Sequence, residues 1–150
     1  MNNAKNYVDY IVEQAKALIA IDSPSGYGGA VGEHLLKEFE ALGFSAYRTR
    51  KGGIIADLGG EDADDAVLLE AHCDTLGAMV HEIKADGRLK LTNIGGMQAN
   101  NAEAENVRII TKFNGVYEGT CQLANASVHV NGEYGSTQRT WDSVEVVIDE

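Results

Sequence analysis

The chain divides into two parts in succession: residues 1–76 read as the opening portion of an α/β domain, and residues 77–150 as a small all-β domain. Three observations predict this. Apolar residues recur at helical spacing twice early in the chain, from Ala4 to Ala20 and from Ala30 to Leu42. A short apolar run, Val67-Leu68-Leu69, then leads directly into Glu70, His72 and Asp74, the pattern of a strand buried on both faces with polar chemistry at its C-terminal end. After Gly77 the texture changes to period-2 runs separated by two-residue turn signals.

In the first helix Val8, Ile11, Val12, Ala15, Leu18 and Ile19 form an apolar stripe, with Lys5, Asp9, Glu13 and Lys16 between them. Such a helix is expected to cover one face of a sheet. The stretch Ile21 to Gly29 holds the only proline and several turn residues, so it reads as a connecting loop. As a nucleotide-binding fingerprint it fails, because Val31 stands where a third glycine belongs and a helix, not a strand, precedes it. The second helix should bury Val31, Leu35, Phe39 and Leu42, with Gly43 as its left-handed cap and His34 as a solvated surface residue. Ser45 to Lys51 and Ile54 to Leu58 predict a hairpin around Gly52-Gly53. The acidic run Glu61 to Asp65 lacks the glycine-containing ligand loop of a calcium site and reads as a solvated turn.

In the second part, Met79 to Lys84 and Arg88 to Thr92 flank Asp86-Gly87, one of the strongest hairpin signals. Val107 to Phe113 and Val116 to Leu123 flank Asn114-Gly115 in the same way. Val128 and Val130, then Val144, Val146 and Ile148, give further period-2 runs, and the set predicts a small β-barrel or sandwich. Gly95 to Glu105 has no apolar period and reads as a loop. His81 and His129 sit in strand-like runs without an acidic or imidazole partner at ligand spacing, so both read as cross-strand or surface residues.

His72 and Asp74 are the candidate site. Side chains alternate along a strand, so the two project to one side and Cys73 to the other. A neutral imidazole is a good ligand for zinc-like ions, and a nearby carboxylate can accept its other ring N–H and fix its orientation. The same pair also suits half of a general-base relay. Cys73 reads as a packed thiol rather than a reactive one.

Composition narrows the classes further. With 44% hydrophobic residues over 150 positions the chain can bury about two thirds of its extended surface. A net charge of −11, from 23 acidic against 12 basic residues, disfavours nucleic acid and anionic membrane surfaces. MNNAKNYVDY lacks the basic and apolar regions of a signal peptide, and no apolar run approaches the roughly 20 residues that span a bilayer. Two widely spaced cysteines, Cys73 and Cys121, fit a reducing compartment, so a cytoplasmic location is expected. Asn125-Ala126-Ser127 matches a glycosylation acceptor but has no meaning without a secretory route.

The run EAHCDTLGAMV, the hairpin HEIKADGRLKL and the stretch TNIGGMQANNAEAENVRI together resemble the M42 family of metallo-aminopeptidases, the glutamyl and tetrahedral aminopeptidase group, over nearly the whole chain. The related M20 peptidases share His-x-Asp-Thr, and Thr75 is closer to their pattern than to the acidic residue common in M42. They return soon to a second catalytic strand, however, whereas a β-rich segment here follows Gly77 at once, as in M42. The resemblance implies that His72 is a ligand of a two-metal centre and that Asp74 orients it. Pro24-Ser25-Gly26 is also similar to a segment near the M42 and M20 active sites, which implies a substrate-adjacent place for a loop whose composition reads more simply as a helix-to-helix connection. It implies the N-terminal part of an α/β catalytic domain over residues 1–76, followed by a PDZ-like, barrel-like dimerisation insertion over residues 77–150. The implied ions are zinc or cobalt, with manganese also compatible, and the implied partners are a peptide substrate and further copies of the chain.

The family's bridging aspartate, glutamate general base, other carboxylate ligands and second histidine fall downstream of that insertion, and no second His-x-Asp or Glu-Glu pair substitutes for them. The expected function is therefore the amino-terminal portion of a two-metal exopeptidase that is inactive alone, since catalytic zinc generally needs three protein ligands. A non-catalytic binding or assembly module built on the β part is the reading from another class. Continuation of the reading frame past Glu150 into an acidic metal-binding region separates the two. An α/β part without its remaining strands exposes an apolar edge and face, so the isolated chain is expected to self-associate or to lean on a partner. Light scattering at high concentration checks this, and a monomer there contradicts it.

Overall fold

The computed structural model describes residues 2–62 and 64–149. Their contacts separate into two compact units, one ending at Thr75 and the other beginning at Leu76.

The first unit contains helix α1 (Asn2–Ile19), helix α2 (Gly29–Ala41) and a hairpin of strands β1 (Ser45–Arg48) and β2 (Ile54–Asp57). Polar side chains join the helices. Gln14 donates to Glu38 Oε2 at 2.8 Å, Tyr10 Oη donates to the same oxygen at 3.2 Å, and Gln14 Oε1 lies 3.0 Å from His34 Nε2. His34 is accordingly half-buried and partnered, where the sequence suggested a solvated residue. Helix α2 stops where Gly43 adopts φ +86°, a left-handed conformation that glycine takes without a Cβ clash, and the Phe44 N–H returns to the Phe39 carbonyl. The β1–β2 register runs from Ser45↔Asp57 to Arg48↔Ile54, and Gly52 takes φ +95° in the turn. Arg48 reaches back to the start of α2, donating to the Gly29 carbonyl at 2.9 Å and pairing with Glu33 at 3.1 Å.

This unit has little interior of its own. Among its described residues Val31 is the one fully buried apolar side chain. The expected sheet beneath α1 is not present among the described residues, and Val8, Ile11 and Ile19 are all more than half exposed. Leu42, expected inside, is 52% exposed. The largest departure concerns Val67-Leu68-Leu69, expected as a buried strand: the segment forms no strand, and the three side chains are 84%, 83% and 80% exposed. The physical reason is that a strand is defined by its neighbours. Among the described residues the one hairpin of this unit pairs only with itself, so nothing offers the run a ladder or a covering face. The Lys5 side chain, Met1, Ala63 and Glu150 lie outside the described residues, so the acidic turn is seen through its neighbours, with Asp62 Oδ1 accepting the Asp64 N–H at 2.8 Å.

The second unit is a five-stranded antiparallel sheet in the order β3-β4-β7-β6-β5, with β3 (Gly77–Ile83), β4 (Leu89–Ile94), β5 (Asn106–Ile110), β6 (Val116–Leu123) and β7 (Val144–Ile148). Both hairpins sit where the turn dipeptides place them, with Gly87 at φ +82° and Gly115 at φ +85°. The last strand, β7, enters the middle, setting Val146 opposite Leu89 on one side and Cys121 on the other. Leu89, Ala99, Ala102, Cys121, Leu123, Val144 and Val146 form the core, with Ile109, Tyr134, Trp141 and Ile148 packed around it. Burial holds the Cys121 thiol above its usual pKa, as suits a packed rather than a reactive cysteine.

Three sequence expectations change here. The sheet curls into a half-barrel with β3 and β5 at its edges, so the barrel-like form is present but stops short of closing. Val128 and Val130 are in no strand and are 61% and 81% exposed, because the Val130 and Asn131 N–H groups both turn back to the Ser127 carbonyl. Gly95 to Glu105 is not a plain loop: a 3-10 turn, Ala99–Asn101, drops Ala99 and Ala102 into the core.

Charge is also buried in this unit. Glu145 alternates away from Val144 and Val146 yet is only 1% exposed, because Lys84 Nζ binds its Oε2 at 2.7 Å and Arg88 Nη1 binds its Oε1. These hydrogen bonds to Glu145 hold both the Lys84 and Arg88 pKa values above their usual ranges. The irregular stretch between β6 and β7 is fastened by Arg139, which donates to both carboxylate oxygens of Glu103, at 2.7 and 3.1 Å, and to the carbonyls of Tyr134 and Thr137.

Gly119 shows how closely β6 and β7 approach. A Cβ there would stand 2.6 Å from the Val147 carbonyl oxygen and 2.9 Å from Val146 Cγ1, with backbone on one side unable to yield. Gly119→Ala should lower stability by about 2 kcal/mol, the usual cost of overpacking a tight interior. Gly132→Ala, where a Cβ meets nothing within 4 Å, should be near neutral. Urea unfolding of the two variants beside the parent checks the contrast, and equal midpoints contradict it.

Candidate functional site

The site forms where the loop after α1 meets the segment carrying His72. Helix α1 closes with the Ala20 N–H on the Lys16 carbonyl, and the chain then makes a tight turn in which the Tyr27 N–H donates to the Pro24 carbonyl at 2.7 Å. Gly26, at φ +92°, occupies the third position of that turn, where a positive φ is required, and Ser25 occupies the second.

Three hydrogen bonds fix this loop to residues 73–75. The Ser23 hydroxyl donates to the Cys73 carbonyl at 2.9 Å, the Ser23 N–H donates to Thr75 Oγ1 at 3.1 Å, and the Thr75 N–H donates to the Ser23 carbonyl at 3.1 Å. Ser23 is 1% exposed, so these bonds form away from competing water. Beside them, Ser25 Oγ donates to Asp74 Oδ2 at 3.1 Å, and the other oxygen, Oδ1, lies 2.9 Å from His72 Nδ1. The two sequence-selected residues are thus in contact, while Cys73 is half-buried and takes no part through its thiol among the described contacts.

The electrostatics assign the protons. The hydrogen bond from His72, and next that from Ser25, hold the Asp74 carboxyl below the usual carboxylate range, so it is ionised at neutral pH. An ionised carboxylate only accepts, hence His72 Nδ1 carries the hydrogen, and in the neutral ring the lone pair lies on Nε2. The His72 side chain is 87% exposed and that lone pair is open to solvent. It suits donation to a Lewis acid or acceptance of a proton. Its donor chemistry fits a metal ligand, but among the described residues no group of three or more His, Cys, Asp and Glu side chains could hold an ion. Glu70 is exposed, and His81 and His129 lie exposed in the second unit.

The resemblance pointed to the Pro24-Ser25-Gly26 loop and to Thr75 only as neighbours of the site, and Ser23 carried no signal of its own. The available signals were the Pro24-Ser25-Gly26 turn and the Thr75 hydroxyl after Asp74. Neither indicates which distant segment the loop will meet.

The class of protein follows from comparison with known families. Residues 52–150 match the M42 glutamyl aminopeptidase family, and the chain belongs to it. Among individual proteins, it is 43% identical over 142 residues to YhfE of Bacillus subtilis (strain 168), a match covering 93% of this chain and 40% of that protein. It is 31% identical over 87 residues to the glutamyl aminopeptidase of Lactococcus lactis subsp. cremoris (strain MG1363), covering 57% of this chain and 24% of that one. The fold is similar to that of the TET aminopeptidase from the marine sediment archaeon Thaumarchaeota archaeon SCGC AB-539-E09, with a TM-score of 0.82, 20% identity and coverage of 95% of this chain and 39% of that one. It is also similar to the Pyrococcus horikoshii TET1 peptidase, with a TM-score of 0.75, 20% identity and coverage of 92% and 40%. The chain therefore spans at most about 40% of the length of these relatives.

Because Ser23 supplies buried bonds to the His72 segment, Ser23→Ala should loosen it. Loss of one buried hydrogen bond, at about 1.4 kcal/mol, predicts a roughly tenfold faster amide exchange at residues 73–75. Exchange in β6 and β7 should not change. Mass-spectrometric hydrogen exchange reads both regions in one experiment, and unaltered protection at 73–75 contradicts the clamp.

Proposed function

We propose that this chain supplies the amino-terminal portion of a metal-dependent aminopeptidase, with His72 as a metal ligand and Asp74 as the carboxylate that orients it. The observation that carries the reading is the 2.9 Å contact between His72 Nδ1 and Asp74 Oδ1, which leaves Nε2 as the free donor. Membership of the M42 family supports peptide hydrolysis from the amino terminus as the reaction.

Two divalent ions, zinc or cobalt with manganese as a further candidate, would supply Lewis-acid polarisation and a nucleophile at neutral pH. The chain's own residues prepare one position for them: His72 presents Nε2, Asp74 keeps the proton on Nδ1, and the Ser23 bonds fix the segment that bears both. With no three-ligand group among the described residues, the remaining ligands must come from residues outside this set.

The division of contacts between Thr75 and Leu76 supports reading residues 1–76 as part of an α/β catalytic domain and residues 77–150 as a PDZ-like insertion. The exposed Val67-Leu68-Leu69 run supports a catalytic sheet completed by further strands. Self-assembly belongs to the same reading: the TET1 peptidase of P. horikoshii is described as able to assemble into a tetrahedron or a large octahedral shell. Free thiols at Cys73 and Cys121 support the cytoplasm as its compartment.

Residues 1–150 alone should release no N-terminal amino acid from peptides, with zinc, cobalt or manganese added. Joined to the part of YhfE beyond the matched region, they should restore metal-dependent release. In that chimaera His72→Ala should abolish the reaction, and Asp74→Asn should reduce it about 10- to 100-fold. Metal-dependent release by the 150 residues, or an active chimaera indifferent to His72→Ala, overturns the proposal.

A further inference from the structure

We infer that Ser25 is a positioning residue: by donating to Asp74 Oδ2 it holds the carboxylate so that Oδ1 receives the His72 Nδ1–H, and it thereby sets the tautomer and direction of the imidazole. The inference deepens the metal-ligand reading and rests on it for its functional meaning.

The geometry forms a relay of three side chains. Ser25 Oγ lies 3.1 Å from Asp74 Oδ2, and Asp74 Oδ1 lies 2.9 Å from His72 Nδ1. A carboxylate on a single-bond stem turns freely unless both ends are held. Asp74 is half exposed, so the hydrogen bond to His72 alone competes with water. Ser25 supplies the second hold from a different part of the chain, 49 residues away in sequence.

The hydroxyl is not there by chance of a mobile loop. Its near neighbour Ser23 is buried and bonded at its N–H, carbonyl and hydroxyl to residues 73–75, and Ser25 is itself held at the second position of the Pro24–Tyr27 turn, closed by the Tyr27 N–H on the Pro24 carbonyl. Division of labour follows. Ser23 and Thr75 fix where the backbone runs, whereas Ser25 touches only the functional carboxylate among the described contacts. Removing Ser23 should loosen the backbone, and removing Ser25 should alter the imidazole while the backbone stays in place.

The test uses the 150-residue chain labelled with 15N at its four histidines and magic-angle-spinning NMR, which tolerates assemblies. At alkaline pH, with the ring neutral, the signals of Nδ1 and Nε2 report which nitrogen carries the hydrogen, and comparison with His72→Ala identifies the His72 pair. The parent should show hydrogen on Nδ1. Ser25→Ala should reduce the ratio of Nδ1–H to Nε2–H by roughly threefold or more, the order expected for one exposed hydrogen bond. Ser25→Thr, which keeps the hydroxyl, should restore it, and hydrogen exchange at residues 73–75 should match the parent in both variants. An unchanged tautomer in Ser25→Ala overturns the positioning role and leaves the metal-ligand reading standing. A change that tracks lost protection at residues 73–75 and is not rescued by Ser25→Thr also overturns it, since the effect is then structural. Hydrogen on Nε2 in the parent overturns the metal-ligand reading itself.

Discussion

The hydrogen bonds of Ser23 to Cys73 and Thr75 hold the segment bearing His72 and Asp74, which joins no sheet among the described residues, and the geometry of the candidate site depends on them. Among the described residues, 66–76 belong to no strand ladder, so the backbone that carries His72 has no β pairing to define its path. A buried serine takes that part. Its hydroxyl and N–H donate and its carbonyl accepts, so the loop and the segment are registered in the manner of a short ladder. From that register follow the approach of Ser25 to Asp74, the contact of Asp74 with His72, and the free Nε2.

The two units differ in how far their sequences can satisfy themselves. In the β unit the hairpins at Asp86-Gly87 and Asn114-Gly115 pair strands close in sequence, and β7 then inserts between β4 and β6 to complete the interior, while Met79, Ile83 and Val116 stay more than half exposed. In the first unit the amphipathic stripe of α1 and the Val67-Leu68-Leu69 run are written for burial, yet they stand largely exposed. Strands of an α/β sheet meet neighbours across long connections, so burial of one depends on segments remote in the chain. Exposed apolar faces of this extent ask for cover, and the length of the M42 relatives accords with that need.

The same distinction governs what the sequence made legible. Local physics was readable: the cap at Gly43, both hairpin turns and the helical stripes stand within a residue or two of where spacing put them. The contact of His72 with Asp74 was readable from their i, i+2 spacing, although the strand that suggested it does not form among the described residues. What could not be read depends on neighbours. Val128 and Val130 alternate like a strand but turn back onto Ser127, Ala99 and Ala102 enter the core from a stretch with no apolar period, and Gly119 is required by a close approach that spacing does not reveal. Ser23, Ser25 and Thr75 belong with these, since the loop meets its partners about fifty residues away.

The central claim is that the Nε2 of His72 receives a metal ion when the remaining ligands are supplied. Anomalous diffraction at the zinc or cobalt edge, from crystals of the chain joined to the part of YhfE beyond the matched region, tests it most directly. The account predicts an anomalous peak about 2.1 Å from Nε2, with Nδ1 still on Asp74. A metal peak remote from His72, or one bound through Nδ1, would contradict it.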